Sequence, residues 1–310
     1  MSLAFVFPGQ GAQTIGMGRD LAEAYPAAAA VFEEVDDALG EKLSALIWDG
    51  DQETLTLTQN AQPALMAMSM AVVRSLESEG VSLADGAYVA GHSLGEYSAL
   101  CAAGALSITD AARLLRLRGE AMQAAVPVGE GAMAAILGLD IEAVNALAAD
   151  AAGEEVCEAA NDNDPAQVVI SGHKAAVERG AVLAKERGAK RALMLPVSAP
   201  FHSALMSPAA DVMSEALATT AMKDPIVPVV SNVRARPVSS AAEIVPLLVE
   251  QVTHSVRWRE SVQWMATEGG VTAFWEVGAG KALTGMIRRI AKEAETRAIS
   301  SPGDVVAAKG

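Results

Sequence analysis

Cysteine is almost missing from this 310-residue chain: only Cys101 and Cys157 are present, in unlike surroundings and without metal-ligand spacing. That argues against a disulfide framework or a cysteine-based metal site, and both thiols read as small buried hydrophobes. Histidine is also scarce, limited to His92, His173, His202 and His254. Basic side chains are outnumbered, 23 Lys and Arg against 38 Asp and Glu, for a net charge of −15. Nucleic acid is therefore not expected as a partner, because phosphate backbones are held by a basic surface. Apolar runs are broken by Gly, Pro or charge before they reach membrane-spanning length. Residues 1–7 have a short strand pattern in place of a basic segment followed by an apolar one, so no signal peptide is expected. These absences together predict a soluble cytoplasmic protein that does not engage a membrane, with a monomer as the default state.

What is present is core-forming material: 51% of residues are hydrophobic and 20% charged. Strand and helix patterns alternate, which predicts an α/β fold with a mostly parallel sheet. Residues 3–7 alternate and end at Pro8-Gly9, a strand running into a glycine-rich loop. Helical patterns cover 64–79, with Pro63 placed in the first turn, and 109–125, with Thr109 as N-cap. Residues 130–196 have their own order, strand–helix–strand–strand–helix–strand, which is the ferredoxin-like arrangement. Strand patterns at 226–230 and 273–277 return to the first sheet. The organisation expected is a core from 1–128 and 197–300, an insert over 129–196, and a tail over 301–310 that frays.

The chemistry concentrates at Tyr88-Val89-Ala90-Gly91-His92-Ser93-Leu94-Gly95-Glu96-Tyr97. A short apolar strand meets Gly-x-Ser-x-Gly and then an apolar helix, the form of a nucleophile elbow. Glycine suits both flanking positions because a side chain would crowd the turn. The new helix aims free N–H groups at whatever sits over Ser93, so a developing oxyanion would find donors. Serine needs a base, and histidine is the usual one near neutral pH. His92 adjoins the serine and is poorly placed to turn back on it. His173 opens a helix of the insert, where a capping or surface role fits. His202, in an irregular loop after the insert, and His254, read as a helix-start residue, both remain candidates. The loop position favours His202.

Phe7-Pro8-Gly9-Gln10-Gly11-Ala12-Gln13, Gly91-His92-Ser93-Leu94-Gly95-Glu96, Arg116-Leu117-Arg118-Gly119, Pro200-Phe201-His202 and Glu276-Val277-Gly278-Ala279-Gly280-Lys281 occur in this order. The set resembles the malonyl-CoA:acyl-carrier-protein transacylase family of type II fatty-acid synthesis, over about residues 3–292. The resemblance implies a hydrolase-like α/β core with a ferredoxin-like insert. It implies Ser93 as nucleophile, His202 as general base, and the Gln251 backbone carbonyl as the group that orients the histidine. It further implies backbone N–H groups of Gln10 and Leu94 as the oxyanion hole, and Arg118 as the residue that binds the malonyl carboxylate. Phe201, His92 and Asn161 are similar to positions near the substrate.

The implied reaction moves malonyl from malonyl-CoA to the phosphopantetheine thiol of acyl carrier protein by a ping-pong route, with no metal or redox cofactor. Arginine suits this role because its planar, permanently charged fork matches a carboxylate. Gly278-Ala279-Gly280-Lys281 is not read as a phosphate loop, since Trp275 and Ala282 stand where that pattern needs Gly and Ser or Thr. Lys190/Arg191 and Arg288/Arg289 are candidate basic patches for an acidic carrier protein. The rival readings are a serine thioesterase or esterase, which passes the acyl group to water, and a non-catalytic module that binds the carrier protein.

Overall fold

The computed structural model describes residues 2–197 and 199–309. Its strands are β1 (Leu3–Phe7), β2 (Tyr88–Gly91), β3 (Gly131–Leu137), β4 (Cys157–Asp164), β5 (Gln167–His173), β6 (Arg191–Met194), β7 (Val229–Val230), β8 (Pro237–Val238), β9 (Ala273–Val277) and β10 (Glu295–Ile299). They form one sheet in the order β10-β9-β1-β2-β7-β8 and another in the order β4-β5-β3-β6. The first is parallel from β10 to β7, with β8 antiparallel at the edge.

β1 shows why this sheet needs cover on both faces. Phe5 and Phe7 enter a large core built around helix Thr58–Ser78, whereas Ala4 and Val6 pack on Trp258, Val262, Phe274 and Leu283. Successive strand side chains point to opposite faces, so a strand apolar at every position is buried from both sides. Helix Thr58–Ser78 is itself buried along most of its length. Among the described residues, no helix is long and apolar enough to cross a membrane.

The second sheet is antiparallel throughout and has the strand–helix–strand–strand–helix–strand connection. One face packs on helices Ile141–Ala152 and Lys174–Glu186 through Ala134, Ile136, Val168 and Ile170. On the other face, Met133, Ala135 and Val169 pack with Leu195, Val197 and Phe201.

The elements differ from the sequence reading in informative places. Pro63 is not in a first turn, because its helix begins at Thr58 and carries the proline inside. The missing N–H leaves one helix bond unmade, and burial on both sides of the helix offsets it. Ser107, not Thr109, caps helix Ile108–Ala124 by accepting from the Asp110 N–H. The Thr109 hydroxyl donates instead to Glu34. The segment from Ser301 does not fray but forms helix Pro302–Ala308, with a Ser301/Asp304 capping box and Val305 buried.

β4 runs through Asp164, although Asn161-Asp162-Asn163-Asp164 is polar and buried. Asp162, Asn163 and Asp164 can stay because a side-chain partner crosses to each from the first sheet's layer. Asp162 receives Arg259 and Asp164 receives Arg289 at 2.7 Å. Asn163 meets His92, and Asn161 bridges to the Val256 backbone. Unpaired, such groups would cost several kcal/mol. Arg289 is thereby tied to Asp164, and Arg288 donates to Thr296.

The tightest backbone approach lies where β2 enters its helix. A Cβ on Gly91 would stand 1.9 Å from the Gly95 backbone, and one on Gly95 would stand 2.3 Å from the Phe7 carbonyl oxygen. Gly91→Ala should therefore destabilise the protein by about 3 kcal/mol and abolish the site, read as the denaturant midpoint and as labelling of Ser93. Gly285→Ala, in helix Ala282–Ile290 with only the Arg289 side chain within 4 Å of the new Cβ, should be neutral or stabilise by up to about 1 kcal/mol. Equal midpoints for Gly91→Ala and wild type would contradict this account of the elbow.

Candidate active site

Ser93 follows β2 with φ of 54° and precedes helix Gly95–Ala102. Left-handed backbone is costly for a residue with a Cβ, and here it is held from two sides. The Ser93 N–H donates to Asn232 Oδ1 at 2.8 Å, and Asn232 Nδ2 donates to the Gly91 carbonyl at 2.6 Å. Asn232 thus spans the elbow from the loop after β7.

Ser93 Oγ lies 2.7 Å from His202 Nε2. His202 also has a left-handed backbone, φ 56°, and is 4% exposed. Its Nδ1 lies 2.9 Å from the Gln251 carbonyl in the last turn of helix Ala241–Thr253. A carbonyl can only accept, so Nδ1 carries the hydrogen and Nε2 offers its lone pair to Ser93. The free acceptor exists because the last carbonyls of a helix have no partner within it. Burial, and next the Arg118 cation, push the His202 imidazolium down to a pKa of about 3. The imidazole is therefore neutral and ready to accept a proton at ordinary pH.

Arg118 reaches the same oxygen from helix Ile108–Ala124. It is 1% exposed, donates from Nη2 to Ser93 Oγ at 3.2 Å and to Gln251 Oε1 at 2.9 Å, and from Nη1 to Gln62 Oε1 at 2.7 Å. The guanidinium carbon also lies 5.7 Å from the Tyr97 ring centroid. Burial lowers its pKa from the ordinary value, and Nε has no hydrogen-bond partner among the described residues. No carboxylate touches it among those residues; the nearest link to one runs through Gln251, whose Nε2 donates to Glu96 Oε2 at 2.7 Å.

A cavity of about 290 Å³ opens over Ser93, lined by Gln10, His92, Ser93, Leu94, Arg118, Asn161, Phe201 and His202 together with Met133 and Val197. The structure thus brings these eight sequence candidates to one cavity, with Gln251 directly behind it. The Ser93 N–H is already engaged by Asn232, while Leu94 and Gln10, whose N–H groups the resemblance implied as oxyanion donors, both line the cavity. The Gln10 side chain accepts from the Thr58 hydroxyl at 3.0 Å. His92 turns away from the serine and meets Asn163 through Nε2 at 2.8 Å; burial lowers its pKa.

His254 ends its helix instead of starting one, with Nδ1 3.0 Å from the Glu250 carbonyl, and His173 Nδ1 accepts from the Val156 N–H. Neither lines the cavity. Among the described residues, no group of three or more His, Cys, Asp or Glu could hold a metal ion. The contacts of Gln62, Asn232 and Glu96 with this cluster were not found from sequence. Only Glu96 left a signal, as a carboxylate opening an otherwise apolar helix.

Residues 4–303 match the acyl transferase domain family. A malonyl CoA-acyl carrier protein transacylase of Bacillus subtilis is 51% identical over 302 residues, spanning 97% of this chain and 94% of that protein. The structure of an acyl-carrier-protein-S-malonyltransferase from Bartonella henselae superposes with a TM-score of 0.97 at 55% identity, covering 99% and 98% of the two chains. A malonyl-transacylase solved in complex with a type II PKS acyl-carrier protein has a TM-score of 0.96 at 44% identity, with 99% of each chain covered.

The depressed His202 pKa predicts a particular pH response. Ser93 should react with a fluorophosphonate at a rate that holds its pH 7 value down to pH 5. An ordinary histidine base would lose on the order of 25-fold over that interval. An acid limb centred near pH 6.5 would show that the imidazole is not desolvated as described.

Proposed function

Because the chain belongs to the malonyl-CoA:acyl-carrier-protein transacylase family, we propose that it moves malonyl from malonyl-CoA to the phosphopantetheine thiol of an acyl carrier protein through a malonyl-Ser93 ester. The observation that carries this reading is one oxygen between two groups: Ser93 Oγ lies 2.7 Å from a neutral imidazole nitrogen and 3.2 Å from a buried guanidinium.

The steps follow from those contacts. Ser93 Oγ attacks the thioester carbonyl while its proton passes to His202 Nε2. The Gln251 carbonyl holds the imidazole in the required tautomer and steadies the imidazolium less than a buried carboxylate would. The carbonyl oxygen, now negative, accepts from the Leu94 and Gln10 N–H groups. Collapse breaks the C–S bond, and CoA leaves as the thiol with the proton from His202. The carrier-protein thiol then gives its proton to His202 and attacks the ester, and Ser93 recovers its hydrogen as the C–O bond breaks.

Arg118 supplies the selection. In a malonyl ester the carboxylate lies one methylene beyond the attacked carbonyl, so a cation at hydrogen-bond distance from Ser93 Oγ is placed to receive it. Acetyl would leave that cation without its partner in a dry site. Phe201 and Asn161 line the same cavity as Ser93 and Arg118. The competing reading, hydrolysis, shares the serine, base and oxyanion donors. The apolar wall of Met133, Val197 and Phe201 favours transfer by limiting water.

Intact mass after brief exposure to malonyl-CoA without acceptor should show one malonyl adduct on wild type and none on Ser93→Ala. Release of CoA with no retained adduct would favour the hydrolase. The malonyl-over-acetyl preference, on the order of 10⁴-fold where a buried polar group would otherwise go unpaired, should collapse in Arg118→Ala. An unchanged preference would remove Arg118 from substrate selection.

A further inference from the structure

Glu96 is a buried carboxylate that the acyl-transfer steps do not use. It is 2% exposed at the start of helix Gly95–Ala102, three residues past the nucleophile. Its Oε2 accepts from Gln251 Nε2 at 2.7 Å and from the Asn232 N–H at 3.1 Å. The amide that donates to Glu96 accepts through its other end from Arg118 at 2.9 Å. One glutamine therefore links a buried anion to a buried cation, and the dipole of its amide points the right way for both. With Glu96 ionised, this cluster has one positive and one negative charge and needs no ion from solvent.

A malonyl group changes that balance. Its carboxylate on Arg118 adds a second anion beside a single cation in a site of low dielectric. Two carboxylates sharing such a site do not both stay ionised; the pKa of one rises. We propose that Glu96 is the resting counter-charge of Arg118 and takes up a proton when the malonyl carboxylate arrives, so that malonyl-CoA affinity falls as pH rises. The inference rests on Arg118 receiving that carboxylate.

The surroundings leave Glu96 as the group free to respond. Burial, opposed by the two hydrogen bonds and by Arg118, pushes its carboxyl up to about 7 before any substrate is present. The charged and titratable neighbours are Arg118 from helix Ile108–Ala124 and Tyr97 from its own helix, whose hydroxyl burial pushes up to about 12. His202, from the loop beyond β6, is neutral above about pH 4 and His92 is likewise held low. β1, β2, β7 and helix Thr58–Ser78, which also pack on this helix, bring no charge that shifts Glu96 among the described residues. The sign is then set: below the free-enzyme pKa the carboxyl is already protonated and affinity is flat. Above it a proton must be taken up, and affinity falls by at most ten-fold per pH unit.

The test is the KM for malonyl-CoA in acylation of Ser93, beside calorimetry on Ser93→Ala in two buffers of different ionisation enthalpy at pH 7.5. Wild type should show KM rising about ten-fold from pH 7 to 8.5 with kcat changed far less. Glu96→Gln should show a lower KM without that slope. Malonyl-CoA binding to Ser93→Ala should take up a fraction of a proton approaching one, and acetyl-CoA, with the same phosphates and no carboxylate, should take up none. The proposal is overturned by a flat wild-type KM, by the wild-type slope persisting in Glu96→Gln, by a uniformly raised KM in that variant, or by equal proton uptake for the two thioesters. Should Glu96→Gln fail to fold, the calorimetry decides alone. Malonyl preference surviving in Arg118→Ala would mark failure of the Arg118 reading instead. Loss of that preference without proton uptake would mark failure of the Glu96 inference only.

Discussion

A guanidinium stripped of water is the constraint around which the site is organised. Arg118 is buried among Gln62, Gln251, Ser93 and the ring of Tyr97, and no carboxylate is in direct contact with it among the described residues. A carboxylate in direct contact would fill the place where, on the proposed reading, the acyl carboxylate is received. Neutral acceptors hold the fork in position, and the nearest carboxylate, Glu96, stands one residue removed behind Gln251. The same cation acts on His202, adding to burial in keeping the imidazole neutral. The buried charge that we propose selects the substrate thus also reinforces, after burial, the neutral state of the imidazole.

Geometry at the serine depends on close backbone approach. Gly91 and Gly95 let β2, its helix and the loop after β1 come nearer than any side chain would permit. Asn232 then ties the elbow together from β7, and Gln251 joins the histidine, the arginine and Glu96 from a helix far along the chain. The second sheet contributes through β4, where the buried Asp162, Asn163 and Asp164 side chains are each matched by a side chain from the first sheet's layer. Arg289, a sequence candidate for meeting an acidic partner, pairs with Asp164 at that seam while about half of its side chain stays exposed.

Patterns with a local cause were legible before the structure. The elbow could be read because strand, glycine pair and helix are contiguous, and the alternating elements of the smaller sheet because each has its own periodicity. Errors occurred where partners came from elsewhere. Local preference puts Pro63 in a helix's first turn, and burial along most of the helix overrides that preference. The 301–308 segment looked polar and loose, yet Val305 packs on the core and Ser301 with Asp304 caps the turn. His254 resembled a helix opener, although the chain direction makes it a terminator.

By itself the sequence determined the local chemistry: a serine on a strained turn, an arginine in a helix, a histidine in a loop, and too little basic or thiol character for several other functions. These follow from residue type and short-range spacing. Only the tertiary structure decided which histidine stands 2.7 Å from Ser93, that Gln251 serves through both backbone and side chain, and that Gln62, Asn232 and Glu96 complete the cluster. Those choices join positions 25 to 158 residues apart. No short-range pattern records them, because they are set by how sheets and helices pack around a charge that water cannot reach.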